Sequence, residues 1–344
     1  MRPEIELFTT CPPSAGPTPV VAGSGVAYRA QAKDVARWSE AAGCRGMLIY
    51  TDNRLVDPWH IAQLVVEATE TLAPLVAVQP IYMHPYAVAK KVATFGHLYG
   101  RKIYLNMVAG GFIRDLEALN DFTPHDPRYD RLVEYSKIIR DLTVNSSSGR
   151  GISHDEIYYK VNNLKLTPPL PPALEPVLFV SGSSEAGLAA AEALGAVVVQ
   201  YPHPQSAYQP IEGEPSGKMG IRIGVIARDD AEEAWRVAEE RFPPDRRGEI
   251  AHQMAMKTSD SAWHKSLSEW PEAEADAGTP YWLRPFQSYK TFCPYLVGSY
   301  ERVAAEITDY IRAGFTTYIL DIPPSEEELF TIKKAFDMAE KAFR

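Results

Sequence analysis

The chain has 344 residues, 45% of them apolar and 23% charged, with a formal net charge of -9. That balance suits a soluble globular protein with a large core, and the acidic charge argues against a nucleic-acid or anionic-membrane surface, both of which need clustered Lys and Arg. The longest apolar stretches, such as Leu75–Val78 and Ala196–Val199, are too short to span a bilayer. Met1–Thr10 carries Glu4 and Glu6 and no secretory apolar core, so a cytoplasmic protein is expected. Cys11, Cys44 and Cys293 give no zinc spacing and fit a reducing compartment. Cys11 reads either as a reactive thiol at a strand end or as an idle buried one.

Short β-rich runs alternate with longer helical ones. Ile5–Thr9 is a first strand, and Ala30–Ala42 has helical spacing and stops at Gly43. Gly46–Tyr50 is a second strand, after which Asp57 caps a helix to about Thr71 with Pro58 at its first position. Leu75–Val78 is a third strand and Pro85–Tyr99 a helix ending at Gly100. Lys102–Val108 is a fourth strand running into Gly110-Gly111, and Arg128–Leu142 is a long amphipathic helix. Asn145–Arg150 reads as a polar loop, Glu156–Leu166 alternates like a small hairpin, and Pro168–Pro176 is an extended, proline-rich connector. Val177–Val180, Ala196–Gln200, Arg222–Ala227 and Thr316–Leu320 are strands five to eight. Helices are expected up to Leu194, over Asp230–Arg241, over Tyr300–Ala313 and over Ser325–Phe343.

Eight such units predict a single (β/α)8 TIM barrel over residues 1–344. A doubly wound sheet would want a Gly-rich turn after the first strand, where Phe8-Thr9-Thr10-Cys11-Pro12-Pro13 stands instead. The long insertion between strand 7 and strand 8, about 55 residues over Arg246–Tyr300, is too long to be an ordinary loop. It holds Trp263, Trp270, Tyr281, Trp282 and Phe286. It reads as a lid over the catalytic rim or as a dimerisation arm.

Six segments carry a family resemblance, in register over nearly the whole chain: Pro85–Gly111; His125-Asp126-Pro127-Arg128-Tyr129 with Glu134; Val180–Ala186; Gly220–Arg228 with Glu233-Ala234-Trp235; Ser259-Asp260-Ser261; and Leu296-Val297-Gly298 with Val303, Phe315–Leu320 and Glu326–Leu329. Together they resemble the bacterial luciferase-like flavin-dependent monooxygenases, nearest the alkanesulfonate monooxygenase branch.

From the residues alone, Ser181-Gly182-Ser183-Ser184 is either a phosphate turn at a helix N-terminus or a plain helix cap. The resemblance implies that it holds the phosphate of FMN. Asn106 ends an apolar barrel strand, where a polar residue reads as a site residue, and the matching Asn of the family faces the flavin ring. Gly110 would allow close ligand approach or simply make a turn. The resemblance brings Tyr129, and with it His125, to the flavin phosphate, and gives Arg222 contact with the oxygenated flavin or the substrate. Arg284 stands near a sulfonate-clamping lid arginine, with Lys290 as its rival and Trp282 beside it. Three substrate-side groups of that branch are missing: its His falls on Gly224, its Tyr on Ile322 and its Cys on about Leu55.

The resemblance implies reduced FMN (FMNH2) and O2 as co-reactants. A flavin C4a-(hydro)peroxide would insert one oxygen atom into a small organic substrate, and a separate NAD(P)H-dependent flavin reductase would supply FMNH2 to a homodimer or homotetramer. The missing groups point away from a sulfonate. The rival readings are an F420-dependent oxidoreductase on the same fold and a non-catalytic flavin-barrel subunit. A metal-dependent barrel hydrolase lacks its paired His after strand 1.

Overall fold

The computed structural model describes residues 4–14, 24–210, 217–256, 267 and 279–343. In chain order the elements are β1 (Glu6–Thr10), α1 (Ser24–Ala41), β2 (Gly46–Ile49), α2 (Pro58–Ala68), β3 (Ala73–Val78), α3 (Pro85–Tyr99), β4 (Tyr104–Met107), α4 (Ile113–Ala118), α5 (His125–Ser146), β5 (Ile152–Asp155), β6 (Lys160–Leu164), β7 (Val177–Ser181), α6 (Glu185–Leu194), β8 (Val197–Gln200), β9 (Met219–Arg228), α7 (Ala231–Arg241), α8 (Arg246–Met256), β10 (Tyr281–Trp282), α9 (Arg284–Gln287), β11 (Tyr295–Ser299), α10 (Tyr300–Arg312), β12 (Phe315–Leu320) and α11 (Glu326–Ala342). The strand order β9-β12-β1-β2-β3-β4-β7-β8 returns from β8 to β9. That is the eight-stranded closed topology of a (β/α)8 barrel, built from the eight runs expected.

Contacts divide the chain into two compact units. The unit of Cys11–Arg37 and Arg45–Val198 holds β2, β3, β4 and β7, all parallel, with Leu75 opposite Tyr104 and Asn106 opposite Phe179. Every residue of β3 and β4 is buried, as strands covered on both faces require. The caps follow the sequence. Asp57 accepts from the amides of Trp59 and His60 ahead of Pro58, and Gly100 closes α3 in the left-handed conformation at φ 62°.

In the same unit α5 begins at His125, three residues before the expected start, and runs through Asn145 to Ser146. The polar end stays helical because Thr143 and Ser146 turn their hydroxyls back onto the carbonyls of Ile139 and Thr143. The hairpin is displaced too, because the stretch expected to open it is its turn. Glu134 takes the amides of Ile157, Tyr158 and Tyr159 on its carboxylate. The short α4 had no sequence signal strong enough to be expected.

The unit of Met1–Thr10, Trp38–Cys44 and Val199–Arg344 holds β1, β9, β10, β11 and β12. Strand β9 is ten residues long and changes partner along its length. Gly220–Ile223 run beside Thr317–Leu320 of β12, and Gly224–Arg228 run beside Tyr295–Ser299 of β11. The insertion therefore has structure of its own: α8, β10, α9 and β11. Trp263, Trp270 and Ser259-Asp260-Ser261 lie outside the described residues. No described helix is long and apolar enough to cross a membrane.

Candidate active site

The turn between β7 and α6 is Gly182-Ser183-Ser184. Ser184 is the N-cap, its hydroxyl accepting from the Gly187 amide at 3.2 Å. The capping role is therefore real for Ser184, and it leaves the rest of the turn to be explained. A Cβ on Gly182 would stand 2.9 Å from the Tyr129 hydroxyl, and one on Gly187 would stand 3.2 Å from Ser184 Oγ and 3.3 Å from the same phenol. The two glycines thus let the phenol pack directly against the turn at the start of α6. Burial pushes the Tyr129 pKa up, against smaller pulls from Ser184 hydrogen bonding and the Arg128 charge, so the group stays a phenol near neutrality.

Backbone N–H groups of a helix start, the hydroxyls of Ser183 and Ser184 and the Tyr129 phenol form a donor set that suits a phosphate. His125 lies one turn earlier on α5, its ring 5.2 Å from that of Tyr129 and its Nδ1 2.6 Å from Asp126 Oδ1. Sequence reasoning missed Gly187. Its signal was a glycine in the first turn of an alanine-rich helix, which costs about 1 kcal/mol unless packing requires it.

Asn106 is buried on β4 and its Oδ1 accepts from Ser181 Oγ at 2.9 Å. The bond joins the ends of two neighbouring strands and fixes which way the amide faces. Gly110 has φ 102°, and a Cβ there would stand 2.9 Å from Leu116 of α4. Backbone conformation and packing therefore both demand glycine at 110, whatever else approaches it.

In the other unit Arg222 is buried at 7% exposure, level with the carboxyl end of β12, where its partner is Ile319. Its Nη2 lies 3.7 Å from Oδ1 of Asp321, the residue following β12. Tyr295 donates to the other oxygen of Asp321 at 2.7 Å. Its ring lies flat over Gly224, where a Cβ would come within 2.3 Å of ring carbons. The space that the sulfonate branch gives to a His side chain is thus filled by Tyr295 from β11. Cys293 is fully buried beside this group; burial first, and the Asp321 charge second, push its thiol well up. Cys11 and Cys44 are buried as well, with thiols raised to about 12, which makes the idle reading the better one for Cys11.

Trp282 is buried edge-on to Trp235 at 5.5 Å and packs against Phe242, with the Arg284 guanidinium 5.7 Å over its ring. Lys290 is exposed and paired to Asp245 at 2.5 Å. A small hollow at the ends of β1 and β2 is lined by Cys11, Pro12, Tyr28, Tyr50, Leu55 and Ile61 among others, none of them charged. Leu55, which stands where the sulfonate branch has its Cys, is part of it.

The sequence profile described as luciferase-like monooxygenase matches residues 5–317. A relative from Niallia circulans, the 4-(gamma-L-glutamylamino)butanoyl-[BtrI acyl-carrier protein] monooxygenase BtrO, is 34% identical over 308 residues, 88% of this chain and 89% of that protein. The EDTA monooxygenase EmoA from Chelativorans sp. BNC1 superposes with a TM-score of 0.72 at 17% identity, covering 99% of this chain and 95% of that one. An F420-dependent secondary alcohol dehydrogenase superposes with a TM-score of 0.65 at 14% identity, covering 98% and 99%. The two structures share the barrel, whereas the profile and the relative carry descent: the chain belongs to the luciferase-like family of flavin-dependent monooxygenases.

Proposed function

We propose that the chain is the oxygenase of a two-component system, working with reduced FMN from a separate NAD(P)H-dependent flavin reductase and with O2. The observation that carries this reading is the start of α6, where Gly182 and Gly187 let the Tyr129 phenol pack against the turn beside Ser184 and so gather hydroxyl donors at a helix N-terminus. Its donors fit a phosphomonoester such as the end of FMN, so the residues present suit the cofactor the family implies. When bound, reduced flavin supplies the two electrons that allow one atom of O2 to enter the substrate and the other to leave as water.

The chain's own residues have separate tasks. Ser183, Ser184, Tyr129 and the first amides of α6 bind the phosphate, and His125 borders it. Asn106, its amide oriented by Ser181, presents a fixed polar edge to the flavin ring. Arg222, oriented by Asp321, offers guanidinium N–H donors to a reacting oxygen. The aromatic residues of the insertion keep water out.

The Niallia relative is named for an acyl chain carried on a protein and containing an amide. Identity of 34% across most of both chains supports a carrier-bound, amide-containing acyl chain as the substrate class to try first. Oxygen uptake coupled to product, with FMN and a flavin reductase, tests the reading. Turnover in the absence of O2 with F420 would overturn it.

A further inference from the structure

The residue that follows β3 is a glutamine, Gln79. Its carbonyl accepts from the Tyr82 amide at 3.1 Å, closing a turn with Pro80 in second position. The ladder to β4 reaches this level, because the Val108 amide donates to the Val78 carbonyl at 2.9 Å. The backbone of Gln79 is thus fixed at the carboxyl end of its strand. The residue is 7% exposed, and its side-chain amide has no hydrogen-bond partner among the described residues. Gly110 leaves it room: a Cβ there would stand 3.3 Å from Gln79 Nε2.

A buried carboxamide without a partner costs free energy that an apolar side chain of similar volume would not. The neighbouring strand shows the same pattern. Asn106, also 7% exposed, uses Oδ1 for Ser181, and its Nδ2 has no partner among the described residues. Ala77 lies opposite Asn106 across the ladder, and strand alternation puts Gln79 on the same face as Ala77. Two carboxamides with unused donors therefore share one face of two neighbouring strand ends. The strand beyond β4 is β7, which leads into the Gly182-Ser183-Ser184 turn. Adjacent strands lie about 4.8 Å apart, so the ends of β3 and β7 are about 10 Å from each other.

We propose that Gln79 binds the pyrimidine edge of the flavin ring, its side-chain oxygen accepting from the ring N3–H and its NH2 group donating to an adjacent ring carbonyl. A primary amide carries both functions, so it complements an imide edge, which offers N–H beside C=O. With the phosphate at the α6 turn, the ribityl chain carries the ring across β4 toward β3. Calling that ring FMN rests on the monooxygenase reading; recognition of an imide edge by Gln79 does not.

Titration of the full chain with FMN, with its N3-methyl analogue and with F420, followed by fluorescence, tests the proposal. The wild type is expected to bind FMN about tenfold more tightly than 3-methyl-FMN, because methylation removes the N–H that Gln79 accepts. Gln79→Leu should bind FMN about tenfold more weakly than the wild type and should no longer distinguish the two flavins. Its urea midpoint without flavin should equal or exceed that of the wild type, since an unpaired buried amide has been removed. A lower midpoint with the flavin preference unchanged would make Gln79 a residue of the fold alone and overturn the proposal. Equal binding of FMN and 3-methyl-FMN by the wild type would also overturn it, and needs no variant to fold. F420 carries the same ring edge. Binding of F420 and not FMN, weakened alike in Gln79→Leu, would keep the proposal and remove the FMN reading. FMN binding that Gln79→Leu leaves untouched would keep the FMN reading and remove the proposal. Binding of none of the three would overturn it.

Discussion

The turn at the start of α6 and the cluster around Asp321 are built in opposite ways. The turn is assembled from neighbours in sequence: Gly182, Ser183, Ser184 and Gly187 act through backbone groups, small side chains and the space left by missing ones. Only Tyr129 is brought in from elsewhere. The cluster joins Arg222, Tyr295 and Asp321, one from each of three chain segments, through charge and a buried phenol. A turn of the first kind suits a ligand part that does not vary, such as a phosphate. A cluster of the second kind, buried and charge-neutral, fastens chain segments to one another.

The largest effect expected separates the two most sharply. Restoring the branch residue as Gly224→His would drive a Cβ into the Tyr295 ring. Overpacking of that kind should cost about 3 kcal/mol in urea unfolding. Opening the space with Tyr295→Ala in the same chain should recover part of the loss. A single variant as stable as the wild type would mean that the ring does not hold that position.

Acid should loosen the helix that carries His125 and Tyr129. Asp121 precedes α5, the helix that carries His125 and Tyr129, and pairs with Arg131 at 2.6 Å. Burial works against its charged form, but hydrogen bonds from Arg131 and Thr123 outweigh it and hold the carboxyl down to about 2. The folded value lies below the unfolded one, so the stabilisation is complete above about pH 4 and is lost as pH falls toward 2. Its size is on the order of 2 kcal/mol. Acid unfolding of Asp121→Asn should lack this portion of the pH dependence; curves that coincide with wild type after a constant offset would refute the assignment.

The barrel was legible because each strand is a short apolar run between strong stops, and burial on both faces leaves no other use for such runs. The α6 turn was legible for a related reason, since helix starts are written in consecutive residues. Tyr295 and Asp321 were not. Nothing in the local pattern around Tyr295 says that β11 pairs with the second half of β9, and the emptiness of Gly224 acquires meaning only once that pairing is known. Glu134 shows the same limit: its neighbours on α5 mark it as a surface acid, and only the folded hairpin reveals that it collects three amides.

Crowding the turn's tightest contact should shift cofactor affinity more than stability. Gly182→Ala places a methyl 2.9 Å from the Tyr129 hydroxyl and would push that donor off the turn. FMN affinity, followed by flavin fluorescence, should fall about tenfold, equal to about 1.4 kcal/mol. Wild-type affinity in a folded variant would take the turn out of the cofactor site.

The smallest effect asks whether capping and phosphate binding are one function or two. Ser184 holds the Gly187 amide at 3.2 Å and Ser183 does not. Ser184→Ala should therefore lose about 1 kcal/mol of stability, the usual worth of a cap, together with some FMN affinity. Ser183→Ala should leave the unfolding midpoint where it is and weaken FMN alone. The pair matters because a helix cap and a phosphate ligand are the same residue type in the same place, and composition cannot tell them apart. If both variants lose stability and neither loses FMN, the turn is a cap and nothing more.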